Sequence, residues 1–148
     1  MKTRTKSLLL SVGLLLSAVV QVHASERADT LLSIHWVENP TNSTRPGAFG
    51  ELGAYQFRAE TWRMHTQRPF AEAIDRQASD EVAVRHYEWL KATLARGGVE
   101  PTTYNIALAW NAGVNAVLKG HAPAVAHDYA TRVNNLASEM GANRVAMR

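Results

Sequence analysis

The chain has 148 residues, no cysteine, and a formal charge of +3 from 16 Lys and Arg against 13 Asp and Glu; its sequence pI is about 9.5. Without cysteine there is no disulfide framework, thiolate metal site or thiol redox chemistry, so an exported domain of this kind holds together through its core alone. The basic excess suggests a nucleic-acid ligand until its distribution is read: Lys2, Arg4 and Lys6 precede every acidic residue, the first of which is Glu26.

Behind these three basic residues runs an apolar segment, Leu8 to Val20, and then Val22-His23-Ala24 before Ser25. A positive start, a short apolar run and small residues before the cut describe a secretory signal peptide. The run is shorter than the roughly 20 apolar residues of a membrane span. The expected organisation is a signal peptide over 1–24 and one domain over 25–148, with no stable membrane span after cleavage. Removing 24 of the 148 residues leaves 124, carrying 13 basic and 13 acidic side chains. A neutral mature chain argues against nucleic-acid binding, which needs a phosphate-facing basic patch. The basic residues report export, with the periplasm as the expected compartment.

The predicted elements of the mature chain are mainly helical. The first helix runs from about Glu26 to Glu38, with Ala28, Leu31, Leu32 and His35 or Trp36 inward. Pro40 stops it. Asn39 to Phe57 has no helical period and holds Pro40, Pro46, Gly47, Gly50 and Gly53; it reads as a long glycine-rich functional loop or a small β-hairpin. Short helices follow near Ala59–His65 and Phe70–Gln77. Ser79-Asp80-Glu81 offers a capped start to a helix burying Val82, His86, Trp89, Leu90 and Leu94 and ending at Gly97-Gly98. Thr102 or Thr103 caps the next helix, which reaches about Asn111. A helical turn to Lys119 leads to a last helix from near Pro123, with Val125, Tyr129, Val133, Leu136 and Met140 as its buried stripe.

Three segments bear groups suited to chemistry. Glu38 closes the first helix, at the negative end of its dipole among unpaired carbonyls, and Trp36 is near enough to exclude water. Both effects raise a carboxyl pKa, as a general acid requires; a solvated helix-end Glu is the plainer alternative. In Gly50-Glu51-Leu52-Gly53-Ala54-Tyr55-Gln56-Phe57, a second carboxylate and an amide sit among glycines that permit close approach of a polymer. The alternative there is an ordinary hairpin with Tyr55 and Phe57 packed inward. In Ala109-Trp110-Asn111, the Asn is either a helix cap or a cleft-lining group.

In this order the three segments resemble the lysozyme superfamily, most closely the soluble lytic transglycosylases with an SLT domain. Glu38 matches the family's catalytic Glu, Gly53-Ala54-Tyr55-Gln56 its Gly-Leu-Met-Gln box, Ala109-Trp110-Asn111 its Ala-Tyr-Asn box, and Tyr129 its late Tyr. The likeness spans roughly Leu31 to Leu136. It implies a lysozyme-like α+β fold, Glu38 as catalytic acid and base, and Tyr55, Gln56, Trp110, Asn111 and Tyr129 as substrate-binding residues. Asn39 stands where the family usually has Ser, and Trp110 replaces a Tyr. Glu51, two residues before Gly53 and followed later by Thr61-Trp62, is similar to the second carboxylate of animal-type lysozymes.

The resemblance implies a lytic transglycosylase that cleaves the MurNAc-GlcNAc bond of peptidoglycan glycan strands and leaves a 1,6-anhydro end. A hydrolytic muramidase using Glu38 and Glu51, or an envelope glycan-binding module without activity, are the alternatives. No cofactor is expected, and the histidines show no metal-binding helical pair. At 124 residues the domain is small for the family, which leaves room for an envelope protein partner to complete the cleft.

Overall fold

The computed structural model describes residues 24–147; apart from Ala24, the signal segment lies outside the described residues. Helix α1 occupies residues 24–38. It is followed by α2 (Ala59–His65), a 3-10 helix (Phe70–Ile74), α3 (Arg76–Arg96), α4 (Thr103–Ala112), α5 (Val114–Leu118) and α6 (Ala124–Ala146). The architecture is mainly α. Among the described residues the β component is a single antiparallel bridge, Leu52 to Phe57. None of the described helices is long and apolar enough to cross a membrane.

Helix α1 runs through the middle of the packing. Thr30 Oγ1 lies 3.0 Å from Thr103 Oγ1 on α4, Ser33 Oγ donates to the Met140 sulfur on α6, and His35 Nδ1 lies 3.1 Å from the Ala54 carbonyl. Asp29 pairs with Arg144 near the far end of α6. These neighbours bury Thr30, Leu31, Ser33, Ile34 and His35, while Ala28 and Leu32 are exposed and Trp36 is 52 % exposed. The expected inner face was therefore wrong at Ala28 and Leu32, and of His35 and Trp36 it is His35 that faces inward. Thr and Ser can be buried because each hydroxyl finds a partner, which hydrophobic periodicity does not register.

One boundary and one further helix face differ from the sequence reading. Helix α3 starts at Arg76, capped by Asp75, whose side chain accepts from Ala78 N at 2.8 Å. Ser79 lies inside the first turns, fully buried, and does not cap. Asp75 makes an equally good N-cap, and it comes first along the chain. On α6 the inner face is Ala126, Tyr129, Ala130, Val133 and Ala137, and Val125 is 69 % exposed. Three of these five buried residues are alanines, and α6 packs extensively on α4. Close approach of two helices selects small side chains at the seam.

Elsewhere the boundaries follow local chemistry. Thr102 caps α4, accepting from Asn105 N at 3.2 Å. α3 closes through Gly98 N to Ala95 O (3.1 Å) and Val99 N to Leu94 O (3.0 Å), a pattern that satisfies its last carbonyls. The core gathers Ile34, Trp62, Val82, Leu90, Leu94, Ile106 and Val133. Trp62 also donates its indole N–H to Arg68 O at 2.9 Å. This core fixes the ends of α1 and α4 and the middle of α3 around a cleft.

Candidate active site

The loop between α1 and α2 forms one wall of the cleft. Asn39, the residue after Glu38, is buried. Its amide nitrogen donates to Ser43 O (2.9 Å) and Gly53 O (3.1 Å), and its carbonyl accepts from Ser43 N (2.9 Å). Both amide hydrogens and the carbonyl are committed to the backbone. Asn39 thus ties the helix end to the glycine box and is not free to orient a neighbouring acid.

The box is then pinned from the other side. At Gly53 φ is +78°, and an added Cβ would lie 1.7 Å from the Ala73 carbonyl oxygen. Only glycine permits this backbone to rest on the 3-10 helix. The Leu52–Phe57 bridge closes the turn with bonds of 3.0 and 2.9 Å. Gln56 occupies the left-handed region at φ 46°, a conformation that costs a non-glycine residue about 1–2 kcal/mol. Its amide bonds Gly53 O at 3.0 Å.

The cleft has a volume of ≈ 500 Å³ and is bordered by Glu38, Glu51, Gln56, Arg58, Trp110 and Asn111, with Gly47, Phe57, Thr61 and His86 also in its lining. Five of the residues expected to act on a ligand therefore meet at one place: Glu38, Glu51, Gln56, Trp110 and Asn111. They come from α1, the loop and α4. Gly47 lies against two of them: a Cβ there would stand 2.6 Å from Glu51 Oε2 and 2.7 Å from Gln56 Oε1, so a side chain at this position would shift their ends.

The other two lie apart from the lining. Tyr55 packs inward at 3 % exposure. Its hydroxyl donates to Asp80 Oδ1 at 2.7 Å, and the Arg76 guanidinium covers its ring at 5.8 Å. Burial and the Asp80 charge push its pKa up, so it stays neutral and anchors the box to α3. Tyr129 is buried beneath Glu38. Its phenol interacts with the Glu38 carboxyl in geometry looser than a full hydrogen bond, which leaves the hydroxyl without a well-formed partner.

The two carboxyls experience opposite surroundings. Burial is the largest influence on Glu38 and lifts its pKa above the ordinary carboxylate value; the Tyr129 hydroxyl opposes the rise, Glu51 adds to it, and Arg132 again opposes it. Trp36, expected to supply the apolar surround, is exposed and does not border the cleft. Burial also acts to raise Glu51, but it is outweighed by the backbone N–H groups of Glu51 itself and Phe49 and by Arg58, so its pKa falls below the usual value. Phe49 N donates to Glu51 Oε2 at 2.9 Å, and Arg58 Nε lies 3.5 Å from Oε1. One cleft thus holds a carboxyl biased toward its acid form and another biased toward its anion, an arrangement suited to acid–base chemistry.

His86, expected as a buried residue of α3, also borders the cleft, which the sequence reading missed. It sits on the apolar face of α3, buried but bordering the cleft, 3.0 Å from His65 through Nδ1. A polar residue at a core position of α3 was the available signal; its partner on α2 was not legible. Among the described residues no group of three or more His, Asp or Glu side chains is arranged to hold a metal ion. No protein-family model, curated protein or solved structure matches the chain.

Proposed function

We propose that the protein is a peptidoglycan lytic transglycosylase with a lysozyme-like α+β domain, acting in the periplasm after export. The observation that carries this reading is a Glu38 carboxyl held toward its protonated form in a cleft also lined by Gln56, Trp110 and Asn111. Glu38 donates its proton to the glycosidic oxygen between N-acetylmuramic acid and N-acetylglucosamine as the C1–O bond breaks. The resulting carboxylate then takes the proton of the sugar's own 6-hydroxyl while that oxygen bonds to C1. The product carries a 1,6-anhydro ring, no water is consumed, and Glu38 ends protonated as it began.

Glu51 suits the role of a fixed negative charge near the positive charge that develops at C1. One of its oxygens accepts from Phe49 N and the other faces Arg58, which dulls it as a nucleophile. Gln56, Trp110 and Asn111 supply an amide, a ring face and a second amide along the same cleft, the mixture of stacking and hydrogen-bonding groups that sugars require.

The same pair of carboxyls favours a second reading, a hydrolytic muramidase in which Glu51 takes part in chemistry directly. The masses of products released from purified peptidoglycan separate the two. Anhydro-ended fragments, each one water lighter than the hydrolytic product, are expected. Glu51→Gln is expected to retain part of the turnover in the first reading and to abolish it in the second. Absence of any released fragment, with glycan binding retained, points instead to a binding module.

A further inference from the structure

The inner face of α3 carries an imidazole clamped on several sides. Trp89 stacks on His86 at 5.6 Å with an interplanar angle of 14°, and Trp110 meets it edge-on at 4.7 Å. Phe57 approaches at 6.3 Å and 76°. His86 Nδ1 is engaged by His65 Nε2 at 3.0 Å. The other nitrogen, Nε2, bonds no described residue, yet it is not among the sealed, unpaired polar atoms of the core. The residue is only 7 % exposed and borders the cleft.

Neither histidine is charged near neutral pH. Burial, with a smaller contribution from His65, pushes the His86 pKa down to about 3. Burial and the charge of Arg85 lower that of His65, and Arg85 also donates to the His65 carbonyl at 2.8 Å. In the neutral pair one ring donates to the other, so the proton on His65 decides whether His86 offers the cleft an N–H or a lone pair. A fixed, uncharged, directional group beside an indole suits a sugar hydroxyl or acetamido group better than an anion.

We infer that His86 is a ligand-contacting residue of the cleft, its tautomer set by His65, which hydrogen-bonds a hydroxyl or acetamido group of the sugar that lies against Trp110. This rests on the glycan reading of the cleft. The test uses the trimer of N-acetylglucosamine as a binding probe and peptidoglycan as substrate. His86→Phe keeps the ring and loses both nitrogens; it is expected to weaken trimer binding about fivefold to tenfold, with the loss in turnover falling on KM more than on kcat.

Two amides separate contact from packing. The Gln amide reaches near the Nε2 position, and the Asn amide near Nδ1. His86→Gln is therefore expected to bind the trimer more tightly than His86→Asn, although only Asn preserves the link to His65. The reverse order, or equal affinity of His86→Phe and the unmutated protein, overturns the inference. In the unmutated protein, the His86 Nε2 nitrogen resonance is expected to move on trimer addition, a readout that needs no variant to fold; a static resonance in a protein that binds the trimer also overturns it. If the unmutated protein neither binds the trimer nor releases fragments from peptidoglycan, the glycan reading itself fails and takes this inference with it.

Discussion

Glu38 stands at the end of a helix whose neighbours are other side chains and a buried phenol, whereas Glu51 stands in a loop whose own backbone N–H groups reach its oxygens. The two residues share a cleft and a chemical group, and their protonation preferences diverge because of this backbone difference. A helix spends its N–H groups on its own carbonyls, so a carboxyl at its C-terminal end is buried without donors. A turn leaves N–H groups unspent, and they stabilise an anion. The helical wall of the cleft makes the acid; the loop wall makes the anion.

The largest expected effect comes from removing the acid. Glu38→Gln should lower turnover of peptidoglycan by about 10²–10⁴-fold, the range for a lost general acid–base group. The same change should stabilise the fold. Because the folded pKa of Glu38 lies above its ordinary value of 4.5, the folded state takes up a proton more readily than the unfolded chain. The carboxyl costs nothing below pH 4.5 and destabilises increasingly as pH rises through its folded pKa. Melting curves should show Glu38→Gln above the unmutated protein at pH 7, with the gap closing in acid. A variant less stable at pH 7 breaks the contrast between the two walls.

Next in size is the loop anchor. Gly53→Ala places a methyl against the Ala73 carbonyl at positive φ and should cost at least about 2 kcal/mol, read by thermal melting, with turnover falling as Glu51 and Gln56 are displaced. If stability is unchanged, the 3-10 helix does not hold the loop wall in place.

The pH profile sharpens the comparison through two substitutions of opposite sign. Activity that needs protonated Glu38 falls as pH rises through its pKa. Glu51 raises that pKa and the Tyr129 hydroxyl lowers it. The alkaline limb should therefore move to lower pH in Glu51→Gln and to higher pH in Tyr129→Phe, each followed through its residual activity. Movement of both limbs in the same direction would show that the two groups do not act on Glu38 separately. The smallest effect is expected for Arg58→Gln. The pair with Glu51 is 3.5 Å long and its arginine is mostly exposed, so stability should change by less than about 1 kcal/mol, while the acid limb shifts upward as Glu51 loses a positive neighbour.

Much of the secondary structure was legible because it is written in local chemistry. Pro40, Thr102, Gly97-Gly98 and Pro123 mark helix ends through backbone and capping effects that act within a few residues. The start of α3 was misplaced because Asp75 and Ser79 offer equivalent caps, and nothing local ranks them. Glu38, Glu51, Gln56, Trp110 and Asn111 were visible as chemically apt residues in a particular order. The inward burial of Tyr55 was left open by the sequence, since its partner Asp80 lies on α3, which the loop meets only after folding.

The sequence by itself determined a mainly helical chain, the helix end that presents Glu38, the glycine-rich loop that carries Glu51, and a charge excess confined to the first residues. Tertiary structure alone decided that polar Thr30 and Ser33 are buried while Leu32 and Trp36 are not, that Asn39 is consumed in holding the loop, and that His65 and His86 meet beside the cleft. The physical reason is the range of the interactions. Caps, turns and periodicity act over a few residues along the chain, whereas burial, the pairing of distant polar groups and the separation of the two carboxyl pKa values depend on which elements come to lie against one another.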